Sequence, residues 1–195
     1  MILTTQMLMD RLHDYHDPAG KIMRMVKSGE LIPLTRGLYE TEKTIPGQYL
    51  AAAIYGPSYL SFDFALSRYG LIPETVYTYT SATFDKKKIK QYRNAFGCFT
   101  YRDVPKEAYP FCVELIQEGG YSYLLATPEK ALCDKLSAMP PVHSIREIRE
   151  MLFDDLRIGA DTFHALDREV LNSLCDKYHM SNLKYLKRYL GGKGQ

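Results

Sequence analysis

The chain has 195 residues, enough for one large or two small domains, and its 46% hydrophobic and 25% charged side chains exclude a chain dominated by disorder. A formal charge of +2 excludes a nucleic-acid binder held by net charge alone, so local charge must carry any such role. Cys98, Cys112, Cys133 and Cys175 form no C-x-x-C pair or zinc-finger ladder, no apolar run approaches the roughly 20 residues that cross a bilayer, and the N-terminus reads without a leader. The expected compartment is the reducing cytoplasm, with no membrane, metal or cofactor.

Thr4 or Thr5 caps a short helix carrying Met7, Leu8 and Leu12. His13 to His16 forms a polar turn. Asp17 then precedes Pro18, an N-cap followed by an N1 proline. The helix this opens runs from Pro18 to about Ser28, with Ile22, Met25 and Val26 on one side. Gly29 ends it as a left-handed residue. Residues 31–39 read as two extended pieces meeting in a tight hairpin at Arg36-Gly37. Helix, turn, helix and hairpin is the order of a winged helix-turn-helix, expected over residues 1–43.

Residues 40–47 are a polar connector ending in Pro-Gly, and a second unit is expected over residues 48–195. It opens with helices near 47–55 and 61–69, the latter capped by Ser61 with Phe64, Ala65 and Leu66 turned inward. Extended runs follow at 75–80, 98–103, 111–116 and 121–126. Short runs joined by brief turns favour an antiparallel sheet. Thr127-Pro128-Glu129 starts a helix continued by Ala131, Leu132, Lys135 and Leu136. From about 144 the pattern is helical, with segments near 144–155, 161–164, 167–178 and 181–190. The expected class is α+β: a winged helix-turn-helix, then a mixed domain with an antiparallel sheet and a helical C-terminal region.

On the wheel of helix 18–28, the side opposite Ile22 and Val26 carries Gly20, Met23, Arg24 and Lys27, with Lys21 at the flank. A recognition helix needs this division: one face packs, the other offers donors to phosphates and base edges. Gly20 would let the helix approach a groove closely. Thr35 and Arg36 stand where a wing contacts the minor groove or backbone. A solvated helix face and an ordinary hairpin fit the same pattern, because residues 1–40 carry five basic and five acidic side chains. Lys86, Lys87, Lys88, Lys90 and Arg93, with Tyr92, form a second candidate nucleic-acid surface. The same run reads more simply as an exposed strand edge or loop whose lysines discourage aggregation. The last helix shows a core stripe of Leu183, Leu186 and Leu190, with Lys184, Lys187, Arg188 and then Lys193 outside. No catalytic set emerges. Glu129 and Asp134 lie five apart on one helix and read as a cap and a solvent charge, and no nuclease, hydrolase or phosphate-loop motif is present.

The segments Val26-Lys-Ser-Gly-Glu-Leu-Ile-Pro-Leu-Thr-Arg-Gly-Leu-Tyr39, Tyr59-Leu-Ser-Phe-Asp-Phe-Ala-Leu-Ser-Arg-Tyr-Gly-Leu-Ile-Pro-Glu74 and Ala126-Thr-Pro-Glu-Lys-Ala-Leu-Cys-Asp-Lys-Leu136 resemble the AbiEi family of antitoxins. The resemblance implies an antitoxin of the type IV toxin–antitoxin, abortive-infection class, not an enzyme. It implies a winged domain that represses its own operon at inverted repeats. It implies a second domain that counteracts a nucleotidyltransferase-like toxin without a stable complex. The alternatives are an RNA- or nucleotide-handling protein acting through residues 86–93, and a module that binds the toxin directly.

Overall fold

Thr4 is the hinge between the first two elements of the computed structural model, which describes residues 1–192. It ends strand β1 (Ile2–Thr4), and its hydroxyl accepts the Met7 N–H at 3.2 Å to open helix α1 (Thr5–Arg11). Three residues are too few to show an alternation, so β1 was not expected from the sequence. Helix α2 (Pro18–Ser28) begins as read: the Asp17 carboxylate accepts the Gly20 N–H at 2.8 Å. Gly29 ends it at φ 76°, and the N–H groups of Glu30 and Leu31 turn back to the Met25 carbonyl at 2.9 and 3.1 Å. Strands β2 (Ile32–Thr35) and β3 (Leu38–Glu40) follow, and the sheet order β1-β3-β2 is antiparallel throughout. Leu3, Leu8, Ile22 and Leu31 are its buried centre, with Met25 and Val26 against them.

The connector leads to a 3-10 turn (Gly47–Tyr49), helix α3 (Ala51–Ile54), strand β4 (Tyr59–Leu60) and helix α4 (Phe62–Arg68). Ser61 sits at the cap position of α4, but its hydroxyl is used elsewhere. Ala65 and Leu66 are buried and Phe64 half-buried. Strands β5 (Thr78–Thr83), β6 (Lys90–Asn94), β7 (Gly97–Asp103), β8 (Val113–Glu118) and β9 (Tyr121–Ala126) complete a six-stranded sheet of order β6-β7-β5-β4-β9-β8. β5 starts three residues later than its alternation suggests, and Tyr77 stays 84% exposed.

This sheet is mixed, which corrects the antiparallel expectation. β5 runs parallel to β7, and β4 parallel to β9. The cause is β6, a basic run that the sequence leaves open between a strand edge and a loop. It reverses the chain after β5 and pairs on the outer side of β7, so β7 enters in the direction of β5. β4 spans only two residues, too short to read as a strand, and is inserted between β5 and β9.

Helices α5 (Pro128–Ser137), α6 (Ile145–Glu150, continuing as a π-helical turn Met151–Asp155), α7 (Ala160–His164), α8 (Arg168–Cys175) and α9 (Ser181–Gly191) form the expected helical region. Thr127 caps α5 at Lys130 N, 3.3 Å away. α5 is buried nearly all round, between the sheet with α4 and the pair α8–α9. The architecture is therefore α+β. Among the described residues, no helix is long and apolar enough to cross a membrane. Lys193 lies outside the described residues.

Candidate nucleic-acid interface

α2 is anchored by Ile22 and leaves its opposite face in solvent. Met23 is 74% exposed, an unusual position for a large apolar side chain, and Arg24 and Lys27 are exposed beside it. Arg24 Nη1 lies 3.7 Å from Asp17 Oδ2, with both side chains more than half exposed. Such a pair is worth at most about 1 kcal/mol, so a phosphate can replace the carboxylate at little cost. Lys21 is half-buried with its ammonium 5.7 Å over the Tyr15 ring, which leaves it at the flank. Gly20 has a nearer reason than groove approach: a Cβ there would stand 1.8 Å from Asp17 Oδ2, so the capping carboxylate occupies the space.

The hairpin tip does not project freely. Gly37 takes φ 78°, and its carbonyl accepts the Thr5 N–H at 2.9 Å, so the turn rests on the first residue of α1. Arg36 points outward from it and Thr35 is half-buried at a register shift between β2 and β3. Among the described residues neither Lys27 nor Arg36 has an ion-pair partner. One unit thus presents Met23, Arg24 and Lys27 on a helix and Arg36 on a tight turn, while the packed face holds them in place.

The second basic segment is not one surface. Lys86 is half-buried, donating to the Gly56 carbonyl at 3.1 Å and lying 5.4 Å over the Tyr55 ring. Lys87 and Lys88 are exposed, and the Lys87 N–H is fixed by Asp103 Oδ2 at 2.6 Å. Lys90 and Arg93 are three apart on β6 and so face opposite sides of the sheet. Arg93 Nε donates to Cys98 Sγ at 3.2 Å. Tyr92 is no stacking platform: it packs inward on Tyr101 at 5.9 Å and Tyr55 at 6.1 Å, and burial raises its pKa. β6 is the edge of the sheet, where lysines deter pairing with another chain. On α9 the leucine stripe is buried as expected. Lys187 is paired with Asp176 at 2.5 Å, and the Arg188 guanidinium lies 5.2 Å over the Tyr185 ring.

Asp134 is not a solvent charge, which corrects the sequence reading. It is fully buried, and its carboxylate accepts from four groups. Oδ1 takes the Tyr178 hydroxyl at 2.5 Å and the Lys130 ammonium at 3.1 Å. Oδ2 takes the Ser61 hydroxyl at 2.6 Å and that of Tyr59 at 3.0 Å. Lys130, also fully buried, donates further to Tyr178 Oη at 2.6 Å and the Ala108 carbonyl at 2.8 Å. Burial, then the negative charge of Asp134, raises the Tyr59 and Tyr178 pKa values far above the usual phenol range. A lysine, two tyrosines and an aspartate could serve acid–base chemistry elsewhere. Here the ammonium spends its three protons and the carboxylate its lone pairs within the fold, and no open position faces a substrate. The group ties β4, α5, the 105–108 turn and residue 178 together. The sequence signal was Lys130-x-x-x-Asp134, opposite charges one turn apart and interleaved with the apolar Ala131, Leu132, Cys133 and Leu136 of the same helix.

Among the described residues, no three His, Cys, Asp or Glu side chains gather to hold a metal ion. His13 lies in the exposed turn expected of it, its Nδ1 2.8 Å from the Asp10 carbonyl. No protein-family model and no curated protein matches the chain.

Proposed function

We propose that the chain is a sequence-specific DNA-binding autorepressor whose first unit is a winged helix-turn-helix with α2 as recognition helix. The observation that carries this reading is the face of α2, where a 74% exposed Met23 stands beside Arg24 and Lys27 with no packing role for any of them. The order β1-α1-α2-β2-β3 and the sheet β1-β3-β2 support it, because they fix the helix and the turn bearing Arg36 on one small scaffold. Met23 suits the methyl group of a thymine, Arg24 a guanine or a phosphate, and Lys27 and Arg36 the backbone.

The second unit acts as the antitoxin, opposing a nucleotidyltransferase-like toxin in the cytoplasm without a stable complex. The resemblance of residues 20–136 to AbiEi antitoxins supports this half. Fluorescence polarisation on the DNA upstream of the chain's own gene tests the first half. Salt-sensitive binding to an inverted repeat is expected. Arg24→Ala with Arg36→Ala should weaken it at least about tenfold, each charged contact being worth about 1.5–3 kcal/mol. Unchanged binding would remove α2 and the turn from the interface.

A further inference from the structure

Helices α6, α7, α8 and α9 converge on a cavity of about 700 Å³. That is within the range of small-molecule sites, roughly 300–1,000 Å³. Four arginines line it: Arg146 and Arg149 from α6, Arg168 from α8 and Arg188 from α9. Among the described residues, no carboxylate lines it. The whole chain carries a formal charge of only +2, so this clustering is a local excess and not a reflection of a basic protein.

The arginines are differently committed. Arg168 donates to the Leu190 carbonyl at the end of α9, which fixes that wall. Arg146 Nε shares Glu150 Oε1 at 2.8 Å, on the side of α6 that faces a neighbouring groove. Arg149 is exposed and has no ion-pair partner among the described residues. The floor is apolar. Tyr189 and Phe163 lie 5.9 Å apart, and Ile145 remains 46% exposed although it opens a packed helix. Cations over a floor of rings and an uncovered isoleucine suit a ligand with a flat apolar body and several negative charges.

We propose that this cavity binds a nucleoside di- or triphosphate, with the phosphates on Arg149, Arg146 and Arg188 and the base against Tyr189 and Ile145. Guanidinium groups hold phosphate oxygens in bidentate pairs, and an aromatic ring accepts any base face. The site lies on the C-terminal helices and involves none of the side chains assigned to operator DNA.

Calorimetric titration of the full chain with ATP and GTP is the test, with tripolyphosphate, adenosine and a short single-stranded oligonucleotide as the other arms. A nucleotide should bind and raise the thermal midpoint, and adenosine should not bind measurably. Arg149→Ala should weaken nucleotide binding about tenfold or more. The exposed position predicts an unchanged midpoint without ligand, and operator binding should be untouched. Arg146→Gln should weaken nucleotide binding less, its charge being shared with Glu150. Unchanged affinity in Arg149→Ala would overturn the proposal. Tripolyphosphate binding as tightly as ATP would overturn the base-stacking half, leaving a plain polyanion site. Binding of the oligonucleotide but of no mononucleotide would overturn it in favour of a nucleic-acid strand.

Discussion

Removing the Asp134 carboxylate should be among the most damaging single changes in the chain. In Asp134→Ala the Lys130 ammonium keeps Tyr178 and the Ala108 carbonyl but loses its counter-charge inside a fully buried site. An uncompensated buried charge costs about 3–5 kcal/mol. The hydroxyls of Tyr59, Ser61 and Tyr178 lose their acceptor at the same time. A fall of about 4 kcal/mol corresponds to about 8–16 °C in thermal midpoint for a chain of this size. The double variant Lys130→Met with Asp134→Ala separates the causes. It loses the same hydroxyl acceptor and leaves the same space, but strands no charge. It should be about 2 kcal/mol more stable than Asp134→Ala, despite carrying one change more. Urea unfolding followed by circular dichroism, with calorimetry for the midpoints, reads both values. A double variant as unstable as the single one would refute the reasoning, because the ammonium would then not depend on Asp134.

Gly29→Ala places a Cβ at φ 76° where α2 ends, and should cost about 1–2 kcal/mol with a small loss of operator affinity, read by unfolding and by polarisation. At Gly47 a Cβ would stand 2.3 Å from the Tyr79 ring, which stacks on Phe99 at 5.0 Å and cannot swing away; Gly47→Ala should cost about 1–3 kcal/mol. Gly191→Ala, with nothing within 4 Å, is its control and should be neutral or slightly stabilising. The raised pKa values of Tyr59 and Tyr178 fix the sign of an alkaline effect. Their stabilising contribution is complete below the unfolded phenol value near pH 10, and it is lost as pH rises from there toward the folded values. Thermal midpoints across that range should fall, and Tyr59→Phe with Tyr178→Phe should flatten the decline.

What could be read from the sequence was chemistry that acts within a few residues. The Thr4 cap, the Asp17-Pro18 start, the Gly29 stop and the Thr127-Pro128-Glu129 start each satisfy backbone groups one turn away, so their residue types are informative by themselves. The sheet was only half legible because its order depends on β4 and β6. One is too short to alternate, and the other is a basic run that fits a strand edge or a loop alike. Beyond the Lys130–Asp134 pair, the Asp134 group was illegible for a different reason. Its partners Tyr59, Ser61 and Tyr178 are 75, 73 and 44 residues away, and no local rule links them. The arginine cavity shares that property, since Arg146 and Arg188 come together only through the packing of α6 on α9.

The boundary near residue 45 separates two sequence patterns more sharply than it separates two cores. Leu34 of β2 belongs to the large hydrophobic cluster, and Ile2 and Leu38 pack against it. The Leu34 carbonyl accepts from Asn94 Nδ2, at the end of β6, at 3.0 Å. The strand that leads to Arg36 therefore rests on the edge strand of the six-stranded sheet. This contact also bears on the lysines of residues 86–90. One end of β6 is met by β2, and the other end, with Lys90 and the exposed Lys87 and Lys88 just before it, is left to face solvent. Unpaired strand edges invite association with other chains, and charge at the open end is a sufficient reason for lysines there. The basic run then needs no nucleic acid to explain it. The exposed Met23 on α2 has no such structural reason, and that difference favours α2 over β6 as the proposed interface.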